Sequence, residues 1–316
     1  MRRPLALALS AVLLVAGAAA CGSDGDQAGS GADRPTVVVT TTILGDVVQR
    51  LVGERADVAV LMPRGADPHD VQLSARQAAD LREADALVVN GGGFEAGYLD
   101  AIEAAEADGV PTHAALDDVD TLAFADEHGD HEAEAEADEG ADPHFFTDPD
   151  RVAEAAEGIA AFLAAEVPAL ATGPVRAGAA AEVEALRGLA EEVGRVLDPI
   201  PAERRVLVTN HEVFGYFADR YDFEVVGVVI PGGGTGAEPS AGELDALART
   251  IEAEGVPAIF ADASAPPSLA RALADEVGDV DVVSLFSESL GEPGSGGDTY
   301  ARMVRTNAAR IAAALA

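Results

Sequence analysis

Residues 174–197, PVRAGAAAEVEALRGLAEEVGRVL, carry a helical pattern with no strand signal near the middle of a 316-residue chain. Val183, Leu186, Leu189, Val193, Val196 and Leu197 recur along one face at a period of about 3.6. Thr172 stands where it can cap the start, Pro174 suits the first turn, and Pro199 stops the helix. A single linking helix over 173–198 is therefore expected. On its N-terminal side, short β-branched runs at 36–42 (TVVVTTT), 58–62 and 86–90 (ALVVN), with a weaker one at 110–113, alternate with helical spacing at 44–52 and 74–83. On its C-terminal side the same alternation returns. Strand runs at 205–209 (RVLVT), 224–230 (EVVGVVI), 258–262 (AIFAD) and 281–285 are interleaved with helical spacing, notably at 240–254 and 267–277. Strands alternating with helices imply parallel sheets, so the class is α/β, with similar lobes at 36–172 and 199–316. A stiff helix between two lobes limits how far they can open.

Apolar residues make up 48% of the chain, a globular proportion. Acidic residues number 56 against 20 basic ones, none of them lysine, giving a net charge of −36. Such a surface repels nucleic acid and attracts cations, which excludes a nucleic-acid partner but does not by itself indicate a metal site. Cys21 is the only cysteine. No disulfide can form within the chain and no thiolate zinc site is available, so a metal site must use imidazole and carboxylate.

Arg2 and Arg3 precede an apolar run at 5–20, short of the roughly 20 residues of a membrane span but suited to the core of a secretory signal. Gly17-Ala18-Ala19-Ala20 then lead into Cys21. This resembles the lipobox of bacterial lipoproteins. The resemblance implies a signal peptide over 1–20, an acylated Cys21 and a protein held at the outer face of the cytoplasmic membrane. Residues 21–35 read as a flexible tether of Gly, Ser, Asp and Ala. A second stretch with no core-forming residues, 126–142 (DEHGDHEAEAEADEGAD), reads as an acidic surface loop bearing His128 and His131. Weak metal binding and simple solvation explain that histidine pair equally well.

Three further histidines stand in contexts harder to explain structurally. His69 ends Gly65-Ala66-Asp67-Pro68-His69, and His144 sits in Asp142-Pro143-His144-Phe145-Phe146, repeating Asp-Pro-His within one half. His211 follows the RVLVT run in Asn210-His211-Glu212-Val213-Phe214. His69 and His211 would lie beyond the carboxyl ends of strands, where open α/β sheets gather ligands. Taken together, the three point to a shared site.

With these motifs the chain resembles the zinc- and manganese-type solute-binding lipoproteins of bacterial ABC importers from Cys21 to its C-terminus. The motifs around His69, His144 and His211 look like the family's first three ligand motifs. Gly297-Asp298-Thr299-Tyr300 with Met303 and Asn307 resembles the fourth, which implies Asp298 as the last ligand. Residues 236–240 (GAEPS) are also familial. Asp70-Val71-Gln72 and Ala263-Ser264-Ala265 depart from the usual pattern. The resemblance implies two similar α/β lobes joined by one long rigid helix, with the metal between them. It also implies a monomer that captures metal and delivers it to a membrane permease, and through the permease to its ATPase. Three imidazoles and one carboxylate suit tetrahedral Zn2+, whereas Mn2+ prefers more oxygen and is less favoured. Because imidazole binds metal only when neutral, binding should weaken as pH falls through about 6.5.

Other features have plainer readings. Gly91-Gly92-Gly93 and Gly232-Gly233-Gly234 follow strand runs, but they form no dinucleotide fingerprint and read as turns. His113 reads as structural. The competing functions are a zinc hydrolase and a metal-binding surface adhesin. Against the hydrolase, a fourth ligand would close the position that a catalytic zinc keeps open, and His-Glu-x-x-His is absent, so no enzymatic activity is expected.

Overall fold

The computed structural model describes residues 34–69, 71–124, 140–232 and 234–316. Cys21, His128, His131 and the signal segment lie outside the described residues.

The first lobe builds a sheet from β1 (Thr36–Val39), β2 (Asp57–Val60), β3 (Ala86–Val89) and β4 (Thr112–Ala114). The second builds one from β5 (Val206–Thr209), β6 (Glu224–Val228), β7 (Ala258–Asp262) and β8 (Asp281–Leu285). Both sheets are wholly parallel and share one plan, β2-β1-β3-β4 and β6-β5-β7-β8. The helices are α1 (Thr42–Val52), α2 (Ala75–Arg82), α3 (Leu99–Ala107), α4 (Pro149–Glu166), α5 (Gly173–Leu197), α6 (Gly215–Tyr221), α7 (Ala241–Glu254), α8 (Ser268–Val277) and α9 (Tyr300–Leu315). Among the described residues no helix is long and apolar enough to cross a membrane.

The elements follow from local chemistry, with instructive differences. The run at 36–42 is not all strand. Thr41 instead caps α1, its hydroxyl accepting from Leu44 N at 3.2 Å, so the strand ends at Val39 and the helix begins at Thr42. Ser74 with Gln77 and Ser240 with Glu243 form reciprocal capping boxes on α2 and α7. The linking helix α5 begins after Thr172, as its spacing implies, but the Thr172 side chain makes no capping bond. Val183, Leu186, Leu189, Val193 and Leu197 are buried, whereas Val196, at the margin of the stripe, is exposed.

The central strands β1, β3, β5 and β7 are buried on both faces, and alternate residues serve different cores. Val38 and Leu87 face an outer cluster with Leu81, Tyr98 and Ile102. Val208 and Ile259 face a corresponding cluster with Leu247, Ile251 and Leu273. The opposite faces, with Val37, Val39 and Val88 from one sheet and Leu207, Ala258 and Phe260 from the other, share a single core with α1, α4, α5, α6 and α9. Helix α5 therefore does more than connect the lobes: its apolar face lies within the core they have in common.

Candidate metal centre

Two loops of the first lobe carry the same turn. In each Asp-Pro-His the aspartate accepts the backbone N–H of the histidine two residues on, Asp67 Oδ1 from His69 at 3.0 Å and Asp142 Oδ1 from His144 at 2.9 Å. Proline stiffens the intervening step, so the turn fixes where the imidazole leaves the backbone. Asp142 goes further and accepts from His144 Nδ1 at 2.7 Å. A carboxylate can only accept, so Nδ1 carries the proton and Nε2 is free to bind a metal.

The second lobe supplies His211, two residues beyond β5, and Glu288, three residues beyond β8. Thr209 Oγ1 donates to His211 O at 2.8 Å and shapes that turn. The Glu288 segment is gripped from three sides. Asn307 of α9 pairs with Phe286 N and O at 3.0 and 2.6 Å. The Ser287 hydroxyl donates to Asp262, which also takes the hydroxyl and backbone N–H of Ser264. Leu290 N reaches Thr42 Oγ1 of the first lobe at 2.8 Å.

His69, His144, His211 and Glu288 each present a ligand atom, all within 4.8 Å of one another. Glu288 Oε1 lies 2.9 Å from His69 Nε2 and 3.3 Å from both His144 Nε2 and His211 Nε2. Donors about 2.1 Å from a tetrahedral ion stand about 3.4 Å apart, so the spacing fits. The side chains of His144, His211 and Glu288 are wholly inaccessible, and His69 is 16% exposed. His144 Nε2, both nitrogens of His211 and Glu288 Oε2 are buried without a hydrogen bond among the described residues. Buried polar atoms are seldom left unpaired, and four together mark a ligand set.

The electrostatics reflect this crowding. Burial pushes the Glu288 carboxyl up, but its contacts with His144, His211 and His69 outweigh burial and hold it well below the usual carboxylate range. Burial pushes His144 down, yet Asp142 and Glu288 raise it to about 9. Asp262 is raised to about 6 by burial and by the nearby Glu288 charge, which Ser264 only partly offsets.

The structure brings together the three sequence-predicted histidines but not Asp298. That side chain instead accepts from Gly294 N at 3.0 Å and from Arg302 at 2.9 Å. Its pKa is lowered by the Gly294 N–H, against slight desolvation, with help from Arg302. Glu288, ten residues earlier, faces the histidines. The signal was present in the sequence: Glu288 follows the carboxyl end of a strand, as His69 and His211 do, whereas Asp298 lies past a Gly- and Pro-rich loop. Asn307, part of the same motif, acts by holding the Glu288 segment. Of the departures from the family pattern, Asp70 lies outside the described residues, and Ser264 touches the centre only through Asp262. His113 stacks on Phe162 at 4.9 Å and pairs with Asp118 at 2.6 Å, a structural role.

Comparison with known proteins places this geometry in context. The family profile "Zinc-uptake complex component A periplasmic" (ZnuA) matches residues 37–314. The zinc-binding protein TroA of Treponema pallidum is 31% identical over 288 residues, covering 90% of this chain and 89% of the relative. The manganese-binding lipoprotein MntA of Halalkalibacterium halodurans is 26% identical over 292 residues, covering 92% and 91%. The solved structure of the periplasmic zinc-binding protein TroA from Treponema pallidum superposes with a TM-score of 0.78 at 30% identity, covering 90% of this chain and 99% of that one.

Proposed function

The chain belongs to the ZnuA family of periplasmic metal-binding proteins of ABC transporters, and from that premise we propose that its cargo is Zn2+, captured between the lobes and passed to a membrane permease. One observation carries the choice of metal: three imidazoles, two of them fully buried, and a single buried carboxylate converge from four loops of both lobes. Kinship alone leaves the metal open, since relatives are named for zinc and for manganese. Nitrogen-rich, four-donor ligation favours Zn2+ over Mn2+. The site reads as a carrier rather than an enzyme because four protein donors complete a tetrahedral sphere, where a catalytic zinc keeps a position for water. Metal analysis after native purification, followed by competition titration, tests this. One Zn2+ per chain, displaced by Mn2+ only in large excess, is expected; a preparation that takes up neither ion stoichiometrically sinks the reading.

The same reading extends to residues outside the described ones. Cys21 is the acylated anchor, in keeping with relatives named as lipoproteins. Cys21→Ala should move the protein from the membrane fraction to the medium, and unchanged membrane retention would refute the anchor. His128 and His131 form at most a weak auxiliary site, because ordering a polar segment around an ion costs on the order of 1 kcal/mol per residue. The protein acts as a monomer, and the ATPase is engaged only through the permease.

A further inference from the structure

The Gly91-Gly92-Gly93 turn, which forms no dinucleotide fingerprint, is built with more care than a plain connection requires. All three glycines have positive φ, 90°, 62° and 76°, a run that side-chain-bearing residues rarely adopt. A Cβ on Gly92 would stand 2.6 Å from Leu116 Cδ2 and 3.3 Å from Pro143 Cβ, so the turn packs directly against the second Asp-Pro-His. Asn90, just before it, donates from Nδ2 to Pro143 O at 3.0 Å. Glu95, just after it, is buried, and its carboxylate accepts from Thr40 Oγ1 at 2.7 Å, from Asn90 N and from Gly91 N. The turn is thus locked from both ends.

What it delivers is Phe94. The ring is 2% exposed and stands edge to face with His69 and His144, its centroid 5.8 Å from each. Phe146 continues the wall, 5.5 Å from Phe94 and 5.8 Å from His144, and Phe124 closes on His144 from 6.1 Å. None of these rings can donate to a metal, and together they form an apolar wall on the His69 and His144 side of the centre.

We propose that Phe94, set by the locked glycine turn, is a specificity-determining residue that keeps water from the metal and so holds it four-coordinate. The inference rests on the zinc-carrier reading above. Zn2+ has no d-electron preference and accepts four donors, whereas Mn2+ favours about six, mostly oxygen. A wall that excludes water therefore penalises Mn2+ far more than Zn2+, independently of which ligands are present. The apolar shell around a site controls solvent access in this way.

Co2+ reports the coordination number directly. Four-coordinate Co2+ lacks a centre of symmetry and absorbs visible light strongly, whereas six-coordinate Co2+ absorbs weakly. The full chain, Phe94→Ala and Phe94→Leu would each be loaded with Co2+, and the ratio of Zn2+ to Mn2+ affinity measured by competition. All three should bind one Co2+ per chain. The unaltered chain should show intense bands. Phe94→Ala should lose most of that intensity and lower the affinity ratio by about tenfold, the lower end of effects from groups around metal ligands. Phe94→Leu, which keeps an apolar side chain but shortens the wall, should move both readouts the same way by less, and it decides the matter if Phe94→Ala does not fold. Intense bands and an unchanged ratio in the variants would overturn the role of Phe94 while leaving the carrier reading intact. Failure of the unaltered chain to bind one Co2+ or Zn2+ would overturn the carrier reading itself, and this inference with it.

Discussion

Glu288 and Asp298 are both acidic, and both lie in the chain between β8 and α9, yet their surroundings assign them opposite roles. Asp298 is satisfied by Gly294 N and Arg302, whereas Glu288 is wholly buried against three imidazoles. Glu288→Gln keeps the shape but removes the charge, and it should weaken zinc binding by at least about 100-fold, beyond what changes around a ligand produce. Asp298→Asn should leave it unchanged; equal losses in competition titrations of the two variants would reject Glu288 as the carboxylate ligand. His144 sets the pH dependence. Its pKa is raised to about 9, so the metal-free imidazole is protonated at neutral pH and an incoming ion must displace that proton. Apparent affinity should accordingly fall about tenfold per unit as pH drops below about 9, a window higher than the ordinary imidazole range near 6.5. Calorimetry in buffers of different ionisation enthalpy should detect about one proton released per zinc at pH 8, and a buffer-independent heat would contradict it.

Among the elements, the two Asp-Pro-His turns look interchangeable in sequence, but they bear different loads. Asp67 holds only the backbone of His69 and receives Thr235 Oγ1 of the other lobe at 2.6 Å. Asp142 holds both the backbone and the ring of His144. Asp142→Ala should therefore reduce zinc affinity 10- to 100-fold, the usual range for a partner that orients a ligating imidazole, and Asp67→Ala should reduce it less. The reverse order in titrations of the two variants would show that the backbone turn, not the ring contact, positions the ligand.

For the whole molecule, the apolar face of α5 makes one core of two sheets. Leu186 is 2% exposed within it, and Leu186→Ala should cost about 2–5 kcal/mol. Because the core is shared, far-UV circular dichroism and tyrosine fluorescence should report one coincident urea transition, in the variant as in the unaltered chain. Two separated transitions would mean that the lobes fold on independent cores. Zinc bound across the lobes should stabilise this unit further, by about 4 kcal/mol at a thousandfold excess of free ion over Kd. Direct contacts also bind the lobes: Tyr300 donates to Phe146 O at 2.9 Å, and Arg64 reaches Gly291 O and Asp298 O at 3.0 and 2.9 Å.

The α/β class, the linking helix and the three histidines were legible in the sequence because each rests on local rules. Strand and helix periodicity, capping chemistry and the Asp-Pro-His turn all act over a few residues. Only the tertiary structure decided which carboxylate meets the histidines, since that depends on Asn307, Asp262 and Thr42 gripping the Glu288 segment from α9, β7 and α1. The same holds for Phe94. Its turn could be read from three glycines, but its purpose depends on Pro143, Thr40 and two histidines that are distant in sequence. Spacing along a chain determines which way a residue faces on its own element. What it faces is determined by packing between elements, and here that packing joins both lobes around one buried centre.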